Sequence, residues 1–285
     1  MKIWNLGRTK KKAKSRKVKS MSNIVIVLDP GHTQNYNKGV LPGYFEGNMT
    51  LDLAQRLKAA LERYGITVYL TRTTGGENPA LAARGKLAVT KKANLFLSLH
   101  SDAAGSPAVG CVTVIRSLQR QASVAFGKQL AAAVSNAMGT KLSTYAGADA
   151  GVWTRVYPGY SSVDYYGVIR AAVGSGSVVD AAYLIEHGHH TNPHDCNILN
   201  TADGRQRIAD AEAAVIATHY GLTATPEPAP AAAAGKTYTV RTGDSWWRIA
   251  SQQLGSGLKC NALAKANGKS IYSTIHPGDV LTLPQ

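Results

Sequence analysis

The sequence predicts an α/β fold: a mostly parallel sheet with helices on both faces, followed by a small βααβ C-terminal unit. Three observations predict it. Short apolar runs alternate with helix-period patterns through most of the chain. Those runs are continuous rather than alternating with polar residues, as in strands buried on both faces. A Pro/Ala-rich stretch then sets off a short C-terminal segment. The 285 residues suffice for one such domain and a smaller companion.

The elements follow in order. Residues 24–28 (IVIVL) form a β-branched run and predict the first strand. A helix over 48–64 places Leu53, Leu57 and Leu61 at four-residue steps, with Gly65 closing it. Strands are predicted at 66–70, 95–99, 112–115, 167–170 and 182–185, and helices at 79–93, 119–138 and 204–220. In parallel sheets chemistry gathers at the carboxyl ends of strands, so the polar residues that follow each apolar run are the candidates. Residues 223–236 (TATPEPAPAAAAGK) read as a semi-stiff linker, able to separate two domains by roughly 40 Å at about 3.1 Å per residue. The predicted organisation is a basic tail at 1–20, a large α/β domain at 21–222, the linker at 223–236 and a small domain at 237–285.

Charge and cysteine usage narrow the function classes. The net charge is +15, and residues 1–20 hold seven Lys, two Arg and no acid, so +9 sits in the tail and +6 in the rest. A tail of this kind is either inert, with Met21 as the true start, or attracts a polyanion such as an anionic wall polymer, lipid headgroups or nucleic acid. No stretch reaches the roughly 18–20 apolar residues of a membrane span, and the run after the basic segment is too short for a secretory signal core. Synthesis in the cytoplasm without a signal peptide is the expectation. Cys111, Cys196 and Cys260 are scattered and odd in number, which argues for packing residues rather than a disulfide framework.

Three predicted strands end in polar groups: Asp29-Pro30-Gly31-His32, His100-Ser101-Asp102 and Glu186-His187-Gly188, while Glu46 opens the first long helix. Two imidazoles and a carboxylate suit a catalytic zinc, which takes three protein ligands and leaves a place for water. A second carboxylate must then take a proton from that water. Each residue also has an ordinary alternative. A histidine after a strand commonly bonds its loop, Glu46 is suited to a helix dipole, Glu186 to a capped strand end, and Asp29 to its own turn. His187, His189, His190 and His194 form a competing metal-cluster candidate or supply a supporting group to the site.

The ordered motifs Val27-Leu28-Asp29-Pro30-Gly31-His32, Glu46 before a Leu-rich helix, Leu70-Thr71-Arg72, Leu97-Ser98-Leu99-His100 and Leu184-Ile185-Glu186-His187-Gly188 resemble zinc-dependent N-acetylmuramoyl-L-alanine amidases of the Amidase_3 type. The resemblance spans about residues 23–222. It implies Zn2+ on His32, Glu46 and His100, Glu186 as the catalytic carboxylate, and cleavage of the amide between N-acetylmuramic acid and L-alanine of peptidoglycan. Departures fall at Thr33-Gln34, where the family often has Gly-Gly, and at Ser101-Asp102, where Ala-Asn is common; these bear on substrate contacts. The histidine-rich run from Glu186 to Asn192 resembles forms seen in phage lysins. Synthesis without a secretion signal implies assisted release to the wall, so a phage endolysin acting at the host cell wall is expected, with a bacterial autolysin released by lysis as the alternative.

Residues 237–285 are similar to a LysM domain, which implies binding of N-acetylglucosamine-containing glycans beside Gly243, Asp244, Ser245, Ile275, Pro277 and Gly278. Trp246 and Trp247 stand at a helix start, where sugar stacking competes with core packing. Two rival classes are set aside here: a catalytically dead wall-binding protein, against which His32, Glu46, His100 and Glu186 are all intact, and a nucleic-acid binder, for which no recognition motif is present.

Overall fold

The computed structural model describes residues 23–223, 236–271 and 273–284. The basic tail at 1–20 and nearly all of the predicted linker lie outside the described residues.

The first region is built from β1 (Val25–Pro30), α1 (Glu46–Glu62), β2 (Thr67–Leu70), α2 (Leu81–Thr90), β3 (Leu95–Asp102), β4 (Cys111–Arg116), α3 (Val124–Met138), β5 (Lys141–Leu142), β6 (Val152–Trp153), β7 (Val156–Tyr157), β8 (Tyr160–Asp164), α4 (Gly167–Ala172), β9 (Ala181–His189), α5 (Pro193–Asn200) and α6 (Ala202–His219). Its main sheet runs in the order β2-β1-β3-β9-β4-β5, with β6 added beside β4. β2, β1, β3 and β9 are mutually parallel, and β4 runs antiparallel to β9. The antiparallel strand has a simple cause. Only residues 103–110 join β3 to β4, too few for the crossover that a parallel neighbour requires.

Both faces are covered. On one, Leu53, Leu57 and Leu61 of α1 pack with Ile208 and Ile216 of α6 and Leu130 and Val134 of α3 over Ile26, Leu97 and Ile185. On the other, Ala88 of α2 and Val168 and Ile169 of α4 cover Val27, Phe96 and Leu184. The strand predicted at 167–170 is in fact α4. Its two adjacent apolar residues face α2, and Gly85 makes the approach possible, since a Cβ there would stand 2.3 Å from the Val168 carbonyl oxygen. The helix predicted from residue 119 begins at Val124, after a single 3-10 turn. The predicted third and last strands extend through His100 and Glu186, which therefore lie inside strands and not after them.

The C-terminal region is a βααβ unit: β10 (Thr237–Thr239), α7 (Trp246–Leu254), α8 (Cys260–Ala266) and β11 (Val280–Thr282), with β10 and β11 antiparallel. Val240, Trp246, Ile249, Ala250, Leu263 and Leu281 form its core. All three cysteines are free thiols. Among the described residues no helix is long and apolar enough to cross a membrane.

Candidate metal centre

The register of the sheet creates the site. β1 and β3 pair so that Pro30 lies beside Leu99, and β3 pairs with β9 so that His100 faces Glu186. His32 follows β1 by two residues, with φ at 60°, a left-handed conformation uncommon for a side-chain-bearing residue. Gly31 makes room beside it, because a Cβ there would stand 2.4 Å from the His100 ring. Glu46 is the first residue of α1 and is 1% exposed. A Cβ on the next residue, Gly47, would stand 1.7 Å from the Thr33 carbonyl oxygen, so only glycine lets the helix start this close to the loop.

His32 Nε2 lies 3.2 Å from Glu46 Oε2, and His100 Nδ1 lies 3.0 Å from Glu46 Oε1. One potential ligand atom from each of the three residues falls within 4.8 Å of the others, the one such group among the described residues. Ligands of a tetrahedral zinc at about 2.0–2.2 Å stand roughly 3.3–3.6 Å apart, so this N,N,O donor set fits that ion in type and would draw together slightly around it. The Ser101 N–H (3.0 Å) and Asn37 Nδ2 (2.6 Å) donate to the Glu46 carboxylate and fix its orientation. Although burial opposes it, the two histidines hold the Glu46 carboxyl well below the usual carboxylate range.

Glu186 stands apart from this group and shares its cavity, a pocket of about 440 Å3. Burial pushes its carboxyl up to about 8, with His100 opposing and Asp102 and Glu46 reinforcing the rise. Its Oε2 is buried and has no hydrogen-bond partner among the described residues. A carboxyl so raised exchanges a proton readily near neutrality, the property a general base needs.

A buried polar frame holds the loop that carries His32. Arg72 donates to the Pro30 (3.0 Å), Gly31 (3.0 Å) and Gly47 (2.6 Å) carbonyls, tying the end of β1 to the start of α1. Arg84 donates to the Pro30 carbonyl (2.7 Å), the His32 carbonyl (2.9 Å) and Asp29 Oδ1 (3.0 Å). Asp29 also accepts from Ser98 (2.7 Å), two residues before His100, so it links the two histidine-bearing strands instead of bonding its own turn. Sequence reasoning quoted Arg72 within a motif without a role and missed Arg84 and Asn37. No local signal marks an arginine as buried, although the polar Asn35–Asn37 stretch, with positive φ at both asparagines, is the kind of loop that turn chemistry flags.

The other histidines are spoken for individually. His187 Nδ1 donates to the His100 carbonyl (3.0 Å), and its Nε2 lies 3.1 Å from Glu212 Oε1, both side chains being fully buried. His190 stacks on Tyr44 and meets Ser101 Oγ at 3.0 Å. His189 lies 3.4 Å from Asp102, and His194 sits on the surface 3.1 Å from Asp195. Facing different partners, they form no shared metal site among the described residues.

In the C-terminal unit Gly243, Pro277 and Gly278 are exposed, and Asp244, Ser245 and Ile275 half-buried. Asp244 accepts from Tyr238 Oη and Arg241 N (both 2.8 Å), and Ser245 caps α7 through Arg248 N (3.2 Å). Trp246 is 3% exposed and donates to the Ser273 carbonyl, so it belongs to the core.

Comparison with known proteins agrees with this architecture. Residues 26–218 match the family described as N-acetylmuramoyl-L-alanine amidase, and residues 238–284 match the LysM domain. An N-acetylmuramoyl-L-alanine amidase of Mycobacterium tuberculosis is 26% identical over 223 residues, 67% of this chain and 84% of that protein. The amidase AmiA of Escherichia coli is 34% identical over 126 residues, covering 44% of this chain and 42% of the relative. The solved catalytic domain of the amidase CwlV from Bacillus (Paenibacillus) polymyxa superposes with a TM-score of 0.56 at 25% identity, covering 70% of this chain and 99% of that one.

Proposed function

The chain belongs to the N-acetylmuramoyl-L-alanine amidase family, and from that premise we propose a zinc-dependent peptidoglycan hydrolase that opens the amide between N-acetylmuramic acid and L-alanine. The observation that carries the metal and its chemistry is the convergence of His32, Glu46 and His100 in one pocket with a proton-exchanging Glu186. His32, Glu46 and His100 would hold the ion. When bound, zinc supplies Lewis acidity, polarising a carbonyl and acidifying water.

The chain does the rest. The Glu186 carboxylate, which lines the pocket, takes a proton from the attacking water and returns it to the departing nitrogen of L-alanine, so the leaving group departs as a neutral amine. Arg72 and Arg84 hold the His32 loop rigid from beneath, and His187 holds the His100 backbone. Such preorganisation keeps the reacting geometry without reorganisation during turnover.

Residues 237–285 act as the glycan-holding domain, with N-acetylglucosamine-containing strands lying by Gly243, Asp244, Ser245, Ile275, Pro277 and Gly278; the LysM match supports this. Tethering it through residues 223–236 raises the effective concentration of the catalytic domain, 21–222, at the wall. The basic tail at 1–20 adds attraction to anionic wall polymers. The setting we propose is lysis of a bacterial host by a phage endolysin, on the likeness of the histidine-rich run to phage lysins. The bacterial relatives favour wall turnover by an autolysin as the second reading.

Mass spectrometry of digested peptidoglycan tests the chemistry. New L-alanine amino termini are expected, abolished by chelation and restored by zinc, whereas new reducing sugar ends would replace the amidase with a glycosidase.

A further inference from the structure

A second cavity, of about 520 Å3, shares Asp102, Ala103, Tyr166 and Glu186 with the pocket of the candidate metal ligands. A substrate whose scissile amide sits at Glu186 therefore finds room for one arm in each. The two cavities differ in chemistry. The first carries the metal-site residues, while the second is lined by Trp153 and Arg155, which flank the start of the β7–β8 hairpin.

Arg155 is held in a particular way. Its guanidinium lies 3.7 Å from the centre of the Tyr165 ring, and Nη1 donates to the Tyr166 hydroxyl at 3.4 Å. Among the described residues no carboxylate lies within 4.0 Å of this exposed guanidinium. Stacking on an aromatic face restrains the guanidinium plane and leaves its other in-plane N–H groups available as a fork. Trp153 lines the same cavity as an aromatic wall. Arg155 is exposed at the cavity edge, so its free N–H groups are placed to donate to an anionic group that enters. The cavity's own Asp102 is not that group, since it accepts from Ala103 N–H at 2.8 Å and faces His189 at 3.4 Å.

Resting on the amidase reading, we propose that this second cavity takes the peptide arm of the substrate and that Arg155 pairs with the peptide carboxylate nearest the scissile amide. The sugar arm is built from neutral N-acetylated rings, whereas the peptide arm carries carboxylates. The nearest is the α-carboxylate of the second stem residue, an isoglutamate that is a free acid in some walls and an amide in others. Arg155 thus makes the enzyme selective for non-amidated stems.

The test compares two muramoyl tripeptides, identical except that the second residue bears a free α-carboxylate or its amide, with the full-length chain, Arg155→Gln and Arg155→Lys. Wild type is expected to favour the acid by about tenfold in kcat/KM, the scale of one charge-assisted pair at a half-open site. In Arg155→Gln that ratio falls to about one, through KM of the acid substrate, and Arg155→Lys, which keeps the charge without the planar fork, lies between. A ratio near one in wild type, or a ratio in Arg155→Gln equal to that of wild type, overturns the proposal while leaving the amidase reading intact. Absence of L-alanine amino termini from wild type with either substrate overturns both.

Discussion

The two folded regions place their candidate functional groups in opposite environments. Between β1 and α6 the groups that matter are buried and charged: Asp29 and Glu46 at 1% exposure, Arg72 at 1% and Arg84 at 3%. Between β10 and β11 the core is wholly apolar, apart from one indole N–H, and the candidate glycan contacts ride on its surface turns. In the first region one hydrogen-bonded frame both stabilises the fold and aims the chemistry, so a single change disturbs both. In the second, fold and contact surface are largely separable, and changes stay local.

The largest expected effect tests whether chemistry can nonetheless be removed from the first region without loss of fold. Glu186→Gln is expected to lower kcat by roughly 10²–10⁴-fold while zinc content and circular dichroism stay as in wild type. Near-normal turnover would remove Glu186 from the reaction. The pH profile sharpens the same point. Glu186 works as a base only when deprotonated, so kcat/KM rises with pH. Burial places the midpoint above the ordinary carboxylate range, and a nearby dication, by favouring the carboxylate, keeps it below the value of about 8 that holds without metal.

His32→Ala and His100→Ala come next. Each removes one of three candidate ligands, and zinc affinity is expected to fall by at least roughly 100-fold, read by elemental analysis after dialysis. Full zinc occupancy in both would place the ion elsewhere. The frame itself is tested against the second region by a matched pair. Asp29→Asn strands the buried Arg84 cation and is expected to cost about 3–5 kcal/mol. Asp244→Asn weakens local contacts to Tyr238, Arg241 and the exposed Arg248 and should cost about 1 kcal/mol or less. Equal losses in thermal or urea unfolding would erase the contrast.

Truncation after Leu222 is expected to leave hydrolysis of small soluble muropeptides within about twofold of the full chain, yet to slow attack on intact walls by roughly 10–10²-fold, the loss of a tether's effective concentration. Equal loss on both substrates would mean that the regions share a site. Deleting residues 1–20 should have the smallest effect: a drop in retention on anionic walls that is visible at about 0.01 M salt and gone by about 0.1 M, as the Debye length shortens from about 30 to 10 Å. A pull-down across a salt series measures it, and identical retention throughout would make the tail inert.

Much of this was legible in the sequence because it is local. The apolar runs that became β1, β3 and β9, the leucine spacing of α1 and the punctuation of the C-terminal unit depend on near neighbours, and their pattern survives folding. His32, Glu46, His100 and Glu186 are legible because each follows an apolar run or opens the leucine-spaced helix. What the sequence left open is where partners meet across the sheet. A two-residue apolar pair such as Val168-Ile169 has no period of its own, and its contact with α2 made it a helix rather than a strand. Arg84 and Asp29 stand 55 positions apart, and only the packing of α2 beside β1, with Ser98 of β3 on the same carboxylate, turns them into a buried frame. The same holds for the four histidines of residues 187–194. Sequence fixes their crowding, but the irregularity at Gly188 (φ 70°), the end of β9 at His189 and the start of α5 send each to a different partner. The identities of the chemical groups were set by the sequence; their convergence, burial and raised or lowered proton affinity came from tertiary structure, because those properties arise from the surroundings of a group and not from the group itself.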